Sequence, residues 1–528
     1  MRKSTCLILF LVTILAATPL GDAKKMELFD NQMPLIVVSE LLDQSIPLDQ
    51  SIKDLENENP SIRWHAVYNL MLIGNYSAIE PLTKALHDND SDVRELAAEG
   101  LGCIGGPKVV DALISELKYS DEGIRGWAAE ELGPTGSSKA IDPLILTLKD
   151  KNGFTREKAA EALGNIGDSK ALDPLTVGLK DSDVGVLASA ALSLGEISNS
   201  KAVDPLIIAL KDSNEHVRAN AAQSLGLIGD LDVLDPLILA MDDIEDEVRA
   251  NTAKALAVFR DPKVLEPLIR ALNDSDPEVA TAAAESLGYM NDPVAVEPLI
   301  RALGHEDKYV KASAAKALGR ISDHRRYQRV VDPLIQALDD KEACVRAEAA
   351  NSLHHVNDTR VINRLIRALN DTDPGVRHNA TRSLDSTNNH MVIDPLIHFI
   401  SSTDKGGKER SYAAAILGDK LVVIDDKRAL DQLAKALNDS DAEVRMWTAV
   451  GLSYTHDKRV VNPLIWALND TSDDVRECVA DALGHIGDPR AIKPLRKALN
   501  DSSREVRASA ADSIHWLEEK QAGKSRET

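Results

Sequence analysis

Aromatic residues are scarce in this chain, at 3% of 528 positions, and only four cysteines occur. Few aromatics and plentiful alanine and leucine leave no large core plugs, so helices must approach closely to bury enough surface. Basic residues are also short: 61 Lys and Arg against 84 Asp and Glu give a net charge of -23. That balance excludes nucleic acid as a partner, because phosphates demand a basic footprint. It suits solubility and basic partners. After residue 17 no segment is continuously apolar, so no membrane span is expected once the leader is gone.

The leader itself has the features of an export signal. Arg2 and Lys3 precede an apolar run from Cys6 to Ala17, with Gly21 and Ala23 at cleavage spacing. Residues 1–23 are therefore read as a signal peptide, with an uncleaved anchor as the alternative, and the mature chain as exported to the periplasm, cell surface or exterior. Removal of Cys6 leaves Cys103, Cys344 and Cys478. Repeats stacked about 10 Å apart would hold even the closest pair about 40 Å apart, beyond the ~7 Å reach of a disulfide. Stability must then come from packing.

What the sequence does have is repetition. From 50 to 515 run about fifteen copies of a 31-residue unit. Pro recurs at 81, 143, 174, 205, 236, 267 and 298, with Ala at 112, and then at 333, 395, 463 and 494, with Arg364 and Gln432 in register. Two insertions interrupt the period, one around 323–328 and one split between 401–408 and 421–428. A fixed period of this length marks a solenoid whose units bury their apolar faces only against neighbours.

Within one unit, Val203, Leu206, Ile207 and Leu210 form one helical stripe, with Pro205 near the helix start. Polar residues 211–214 break it. Val217, Ala221, Ala222, Leu225 and Ile228 form a second stripe that Gly229 ends. Asn214, Asp276, Asp373, Asp441, Ser472 and Ser503 share the N-cap register of the second helix. The fold class is all-α: an α-solenoid superhelix of two-helix repeats, with residues 24–49 as an N-terminal cap and 516–528 as a polar, frayed tail.

Arg recurs early in the second helix, where the helix dipole disfavours a cation. Its recurrence implies a fixed acceptor. An Asp lies six residues earlier in most units, as in Asp88 and Arg94, Asp212 and Arg218, Asp439 and Arg445, Asp470 and Arg476, Asp501 and Arg507. These residues are read as a structural ladder between repeats.

The pattern Asp-Pro-Leu-Ile-x-Ala-Leu, then Asp, then Val-Arg-x-x-Ala-Ala-x-x-Leu-Gly-x-Ile-Gly-Asp resembles HEAT-like repeats of the phycobilisome-lyase type over nearly all of 50–515. The resemblance implies a right-handed superhelix with the second helices lining its concave side. It also opens an alternative function, an enzyme or enzyme subunit of the bilin-lyase or deoxyhypusine-hydroxylase-like group. The hydroxylase of that group holds iron with paired His-Glu motifs, and this chain has His305-Glu306 alone. No His-x3-His or Cys-His spacing marks a metal site among His354, His355, His378, His390 and His398. No cofactor, metal or catalytic residue is expected.

The leading expectation is a non-enzymatic scaffold that binds a protein or peptide along the concave face. Positions two and five after the ladder Arg are expected to line that face. They turn aromatic toward the ends, at His65, Tyr68, Trp127, Tyr412 and Trp447, which are the candidate partner contacts. Trp64, Trp466 and Trp516 are expected instead to seal the core of the end repeats.

Overall fold

The computed structural model describes residues 48–524 apart from 120, 322–326, 355, 357, 388–389, 402–406, 424–425 and 456. The signal peptide, nearly all of the N-terminal cap and much of both insertions lie outside the described residues. Among the described residues the chain forms thirty α-helices and eleven short 3-10 turns, and no strand. It is an all-α solenoid of helix pairs. Contacts divide it into two units, one ending at Val264 and the other beginning at Leu265.

Each repeat is built the same way in both units. In the first unit, Asn199 caps a 3-10 turn, Ser200–Ala202, which leads into the first helix, Val203–Ala209. Pro205 is its third residue, where the missing N–H is one of the donors a helix start leaves free. Asn214 then accepts from the N–H groups of His216 and Val217 and opens the second helix, Glu215–Ile228. Gly229 closes it at φ 71°, and its N–H donates to the Leu225 carbonyl at 3.1 Å. Only glycine takes this left-handed position cheaply.

The core runs between second helices. Glu215–Ile228 packs on Val184–Ile197 before it and on Asp246–Leu256 after it, and on its own first helix. Val217, Ala221, Ala222 and Leu225 are fully buried there. The approach is too close for larger side chains, since a Cβ added at Gly226 would fall 2.7 Å from that of Ala255. A buried serine stitches the same contact: Ser224 Oγ donates to the Ala191 carbonyl at 2.9 Å, and Ser193 Oγ to that of Ala160 at 2.8 Å. The second unit repeats the device with Ser383 on Ala350 and Ser513 on Ala480.

The last helix is Arg504–Lys524. Residues 516–524 are part of it.

Candidate functional site

The turns between the paired helices carry a charged edge. Arg218 donates from Nε and Nη2 to the two carboxylate oxygens of Asp243, each at 2.8 Å. Its Nη1 donates to the carbonyls of Asp212 at 2.9 Å and Ser213 at 3.1 Å. The Arg thus grips the next repeat with one edge and caps its own turn with the other. The same rung joins Arg63 to Asp88, Arg125 to Asp150 and Arg156 to Asp181. In the second unit it joins Arg346 to Asp371, Arg445 to Asp470 and Arg476 to Asp501. Parallel Arg–carboxylate forks combine charge with directional bonding, which offsets the unfavourable dipole at the helix start.

The carboxylates respond accordingly. Hydrogen bonding from the paired Arg holds Asp181 and Asp371 below the usual range, and Asp501 at about 2. At Asp88, Asp150, Asp243 and Asp470, partial burial works in the opposite direction. It is outweighed by the Arg and by a backbone N–H from the turn, so these carboxyls too lie low.

Some rungs are incomplete. Tyr119 stands where Arg94 would meet an Asp. Arg94 still donates to the carbonyls of Asp88 and Asn89, but its Nε is buried without an acceptor, and the Trp127 ring lies 5.8 Å from Cζ. Leu187 stands where Asp212 would meet an Arg; Asp212 accepts the Asn214 N–H at 2.8 Å. At Ala280 and His305 both charges are gone. Arg507 donates from Nη1 to the carbonyls of Asp501 and Ser502.

Of the candidate partner contacts, His65 is exposed and Tyr68 half-buried. Trp64 brings them together: Tyr68 stacks on it at 5.5 Å and 8°, and His65 meets it edge-on at 5.3 Å. Trp127 is half-buried over Arg94. Tyr412 is half-buried, with its ring edge-on to His378 at 5.1 Å. Trp447 is half-buried on the helix Ala442–Ser453, which packs against the helix carrying Tyr412.

Two expectations change. Trp466 and Trp516 are 75% and 45% exposed, so neither seals a core. Trp466 sits three residues after Pro463, on the side of a first helix that points away from its second helix. Trp516 sits on the helix Arg504–Lys524. The position two after the ladder Arg is also less open than expected: Ser189, Ala282 and Ser313 are buried. Helical side chains lean toward the N-terminus, which carries this position over the preceding second helix. There Ser189 reaches Glu161 at 3.3 Å, and the Asn220 amide reaches the Ala188 carbonyl at 3.0 Å.

The open second-helix face lies at the fifth and ninth positions instead. Gln223 and Lys254 are exposed at the fifth, and Leu227, Val258 and Tyr289 at the ninth. Arg320 lies over the Tyr289 ring at 4.2 Å. Sequence reasoning missed the ninth position, although extending the second, fifth and ninth along one helical face reaches it. In the first unit Glu99, Glu130 and Glu161 recur at the fifth position, and Lys158 bridges Glu130 at 3.4 Å and Glu161 at 3.0 Å.

Cys103, Cys344 and Cys478 sit half-buried in separate repeats. Burial, and then Glu477, Asp481 and Asp474, push the Cys478 thiol up to about 11, which disfavours a reactive thiolate. No cluster of three or more metal-binding side chains occurs among the described residues, and no described helix is long and apolar enough to cross a membrane.

The HEAT repeats family matches residues 48–133, 110–194, 172–257, 234–319, 265–341, 331–418 and 430–515. The chain belongs to that family. Among solved structures it is similar to yeast importin-β (Kap95p), at 14% identity over 90% of this chain and 78% of that one, with a TM-score of 0.60. It is similar also to the Kap95:Nup1 complex, at 13% identity over 96% and 80%, with a TM-score of 0.59. These likenesses concern the fold. The CpcE–CpcF complex of phycocyanin lyase from Nostoc sp. is 26% identical over 43% of this chain and 94% of that one, but its TM-score of 0.32 carries no functional argument. No curated protein matches the sequence.

Proposed function

We propose that this chain is a non-enzymatic scaffold that holds a protein or peptide segment rich in basic side chains on the exposed face of its second helices. The observation that carries this reading is the acidic row Glu99, Glu130 and Glu161, which recurs at one register with Trp127 and the Trp64–Tyr68 stack on neighbouring helices. Carboxylates beside half-buried aromatic rings favour Lys and Arg side chains through ion pairing and cation–π contact. Beyond this row the face changes its side chains from repeat to repeat, while most rungs of the charged edge keep Arg and Asp, as expected if packing dictates the edge and a ligand the face. The solenoid likeness to Kap95p, solved in complex with Nup1, supports protein binding as the use of such a surface.

Photo-crosslinking residues placed at Glu99, Glu161 and Gln223, with Lys149 in the turn after the first helix Ile141–Thr147 as control, test this. Capture of a basic partner from the three second-helix positions but not from Lys149 is the expected result. Equal capture from all four would remove the reading.

Export belongs to the same proposal, supported by the 1–23 pattern alone. Mass spectrometry of the protein from its native source should find a mature N-terminus just after Ala23. An intact Met1 would overturn cleavage, and recovery of the protein from the cytoplasmic fraction would overturn export.

A further inference from the structure

The first helices of the first unit carry a feature that the second-helix reading does not use. Three residues after each repeat Pro, the outward position holds Leu146, Val177, Ile208 and Leu239, which are 66%, 70%, 74% and 73% exposed. They are spaced by 31 residues in four consecutive repeats. In the same register the two preceding repeats have Lys84 and Ser115, and the next two have Arg270 and Arg301. Half-buried Ile145, Ile207 and Ile238 widen the strip. Single exposed aliphatics are ordinary, but an aligned row of this kind marks a contact surface.

The row is flanked by opposite charges. Asp142, Asp173 and Asp204 are exposed four residues before the aliphatic position, and Lys149, Lys180 and Lys211 are exposed three residues after it. Each charge suits its end of the helix dipole. The aliphatics between them have no such local reason.

We infer that this strip is where a second copy of the chain docks, side by side and parallel. A two-fold axis running along the aliphatic row sets each Asp row against the Lys row of the partner and each aliphatic against its own counterpart. An axis across the row would set Asp against Asp and Lys against Lys. A second copy also matches the repeat spacing automatically. The acidic flank and the net charge of -23 disfavour an anionic bilayer. With repeats about 10 Å apart, the strip is roughly 40 Å long and one helix wide, on the order of 400 Å² per copy. That is about half of a standard interface, so the dimer is weak and sensitive to salt.

Because the aliphatic row lies on the axis, cysteine trapping reads the arrangement directly. In the full chain with its native cysteines replaced by serine, Ile208→Cys is expected to form a disulfide dimer at least ten-fold faster than Gln223→Cys on the second-helix face. Lys180→Asp or 0.5 M salt should abolish that advantage. Equal rates at Ile208 and Gln223 would overturn the inference. So would preferential linkage of Leu146→Cys to Leu239→Cys, which reports the crossed axis, or co-sedimentation of the unmodified chain with neutral phosphatidylcholine vesicles, which makes a bilayer the occupant.

Discussion

The rung that joins Arg125 to Asp150 and the one that would join Arg94 to position 119 lie one repeat apart on the same edge. In the first, the guanidinium sits almost wholly out of solvent with a carboxylate 2.7 Å from Nε. In the second, the carboxylate is a tyrosine, Nε is orphaned, and an indole ring covers the cation. The two members of a rung therefore tolerate loss differently. An Asp left alone still serves its own turn, as Asp212 does by accepting the Asn214 N–H. An Arg left alone keeps its carbonyl contacts but needs something over its open edge. Where both are absent, at Ala280 and His305, nothing has to be repaired.

The largest expected effect comes from attacking all complete rungs together with acid. The ladder carboxyls titrate below their unfolded value of about 3.9, so their stabilisation is fully present above about pH 4. It drains as pH falls toward the folded value, about 2 at Asp501. A circular dichroism acid titration should show helix loss across that window, with 1 M salt moving the curve.

Next comes one complete rung. Arg125→Ala strands Asp150 and should cost about 3 kcal/mol, read by urea denaturation, with hydrogen exchange accelerated in the adjoining repeats. Arg94→Ala should cost less, because no carboxylate is left behind. Below that, Asp243→Ala should destabilise by about 2 kcal/mol because it leaves Arg218 open, against about 1 kcal/mol or less for Asp212→Ala. Equal costs would mean that the turn, not the pair, carries the energy. The smallest effect repairs the broken rung. Tyr119→Asp should add about 1 kcal/mol, and Trp127→Ala should cost about 1 kcal/mol alone but little in the Tyr119→Asp background. Additive effects would separate the indole from the ladder.

Much of the fold was legible because each signal recurs. Asp276 and Asp373 cap their helices with Pro at the first position, as read from sequence. The turn Ser200–Ala202 was not legible, since three residues give no periodicity to detect. The Arg of each rung was visible by its recurrence and its position against the dipole. Its Asp was visible in the same way, six residues earlier; that the rung closes on the Asp of the next unit, 25 residues ahead, depends on how repeats stack, which spacing within one unit does not reveal. The candidate site was harder for the same reason. Which side of a second helix stays open depends on the lean of Ser189 and Asn220 over the preceding helix. Ile208 reads as one more aliphatic in Leu-Ile-Ile until the turn of the helix places it outside.

In a complete rung the guanidinium reaches forward to a carboxylate 25 residues on, so the array has a grammar of length. A whole 31-residue cassette can be gained or lost anywhere and every clasp still closes. Where the period lengthens before Pro333 and before Gln432, Lys311 and Arg410 close instead on Asp340 and Asp439, 29 residues ahead. Growth by duplication thus keeps its clasps only in whole cassettes.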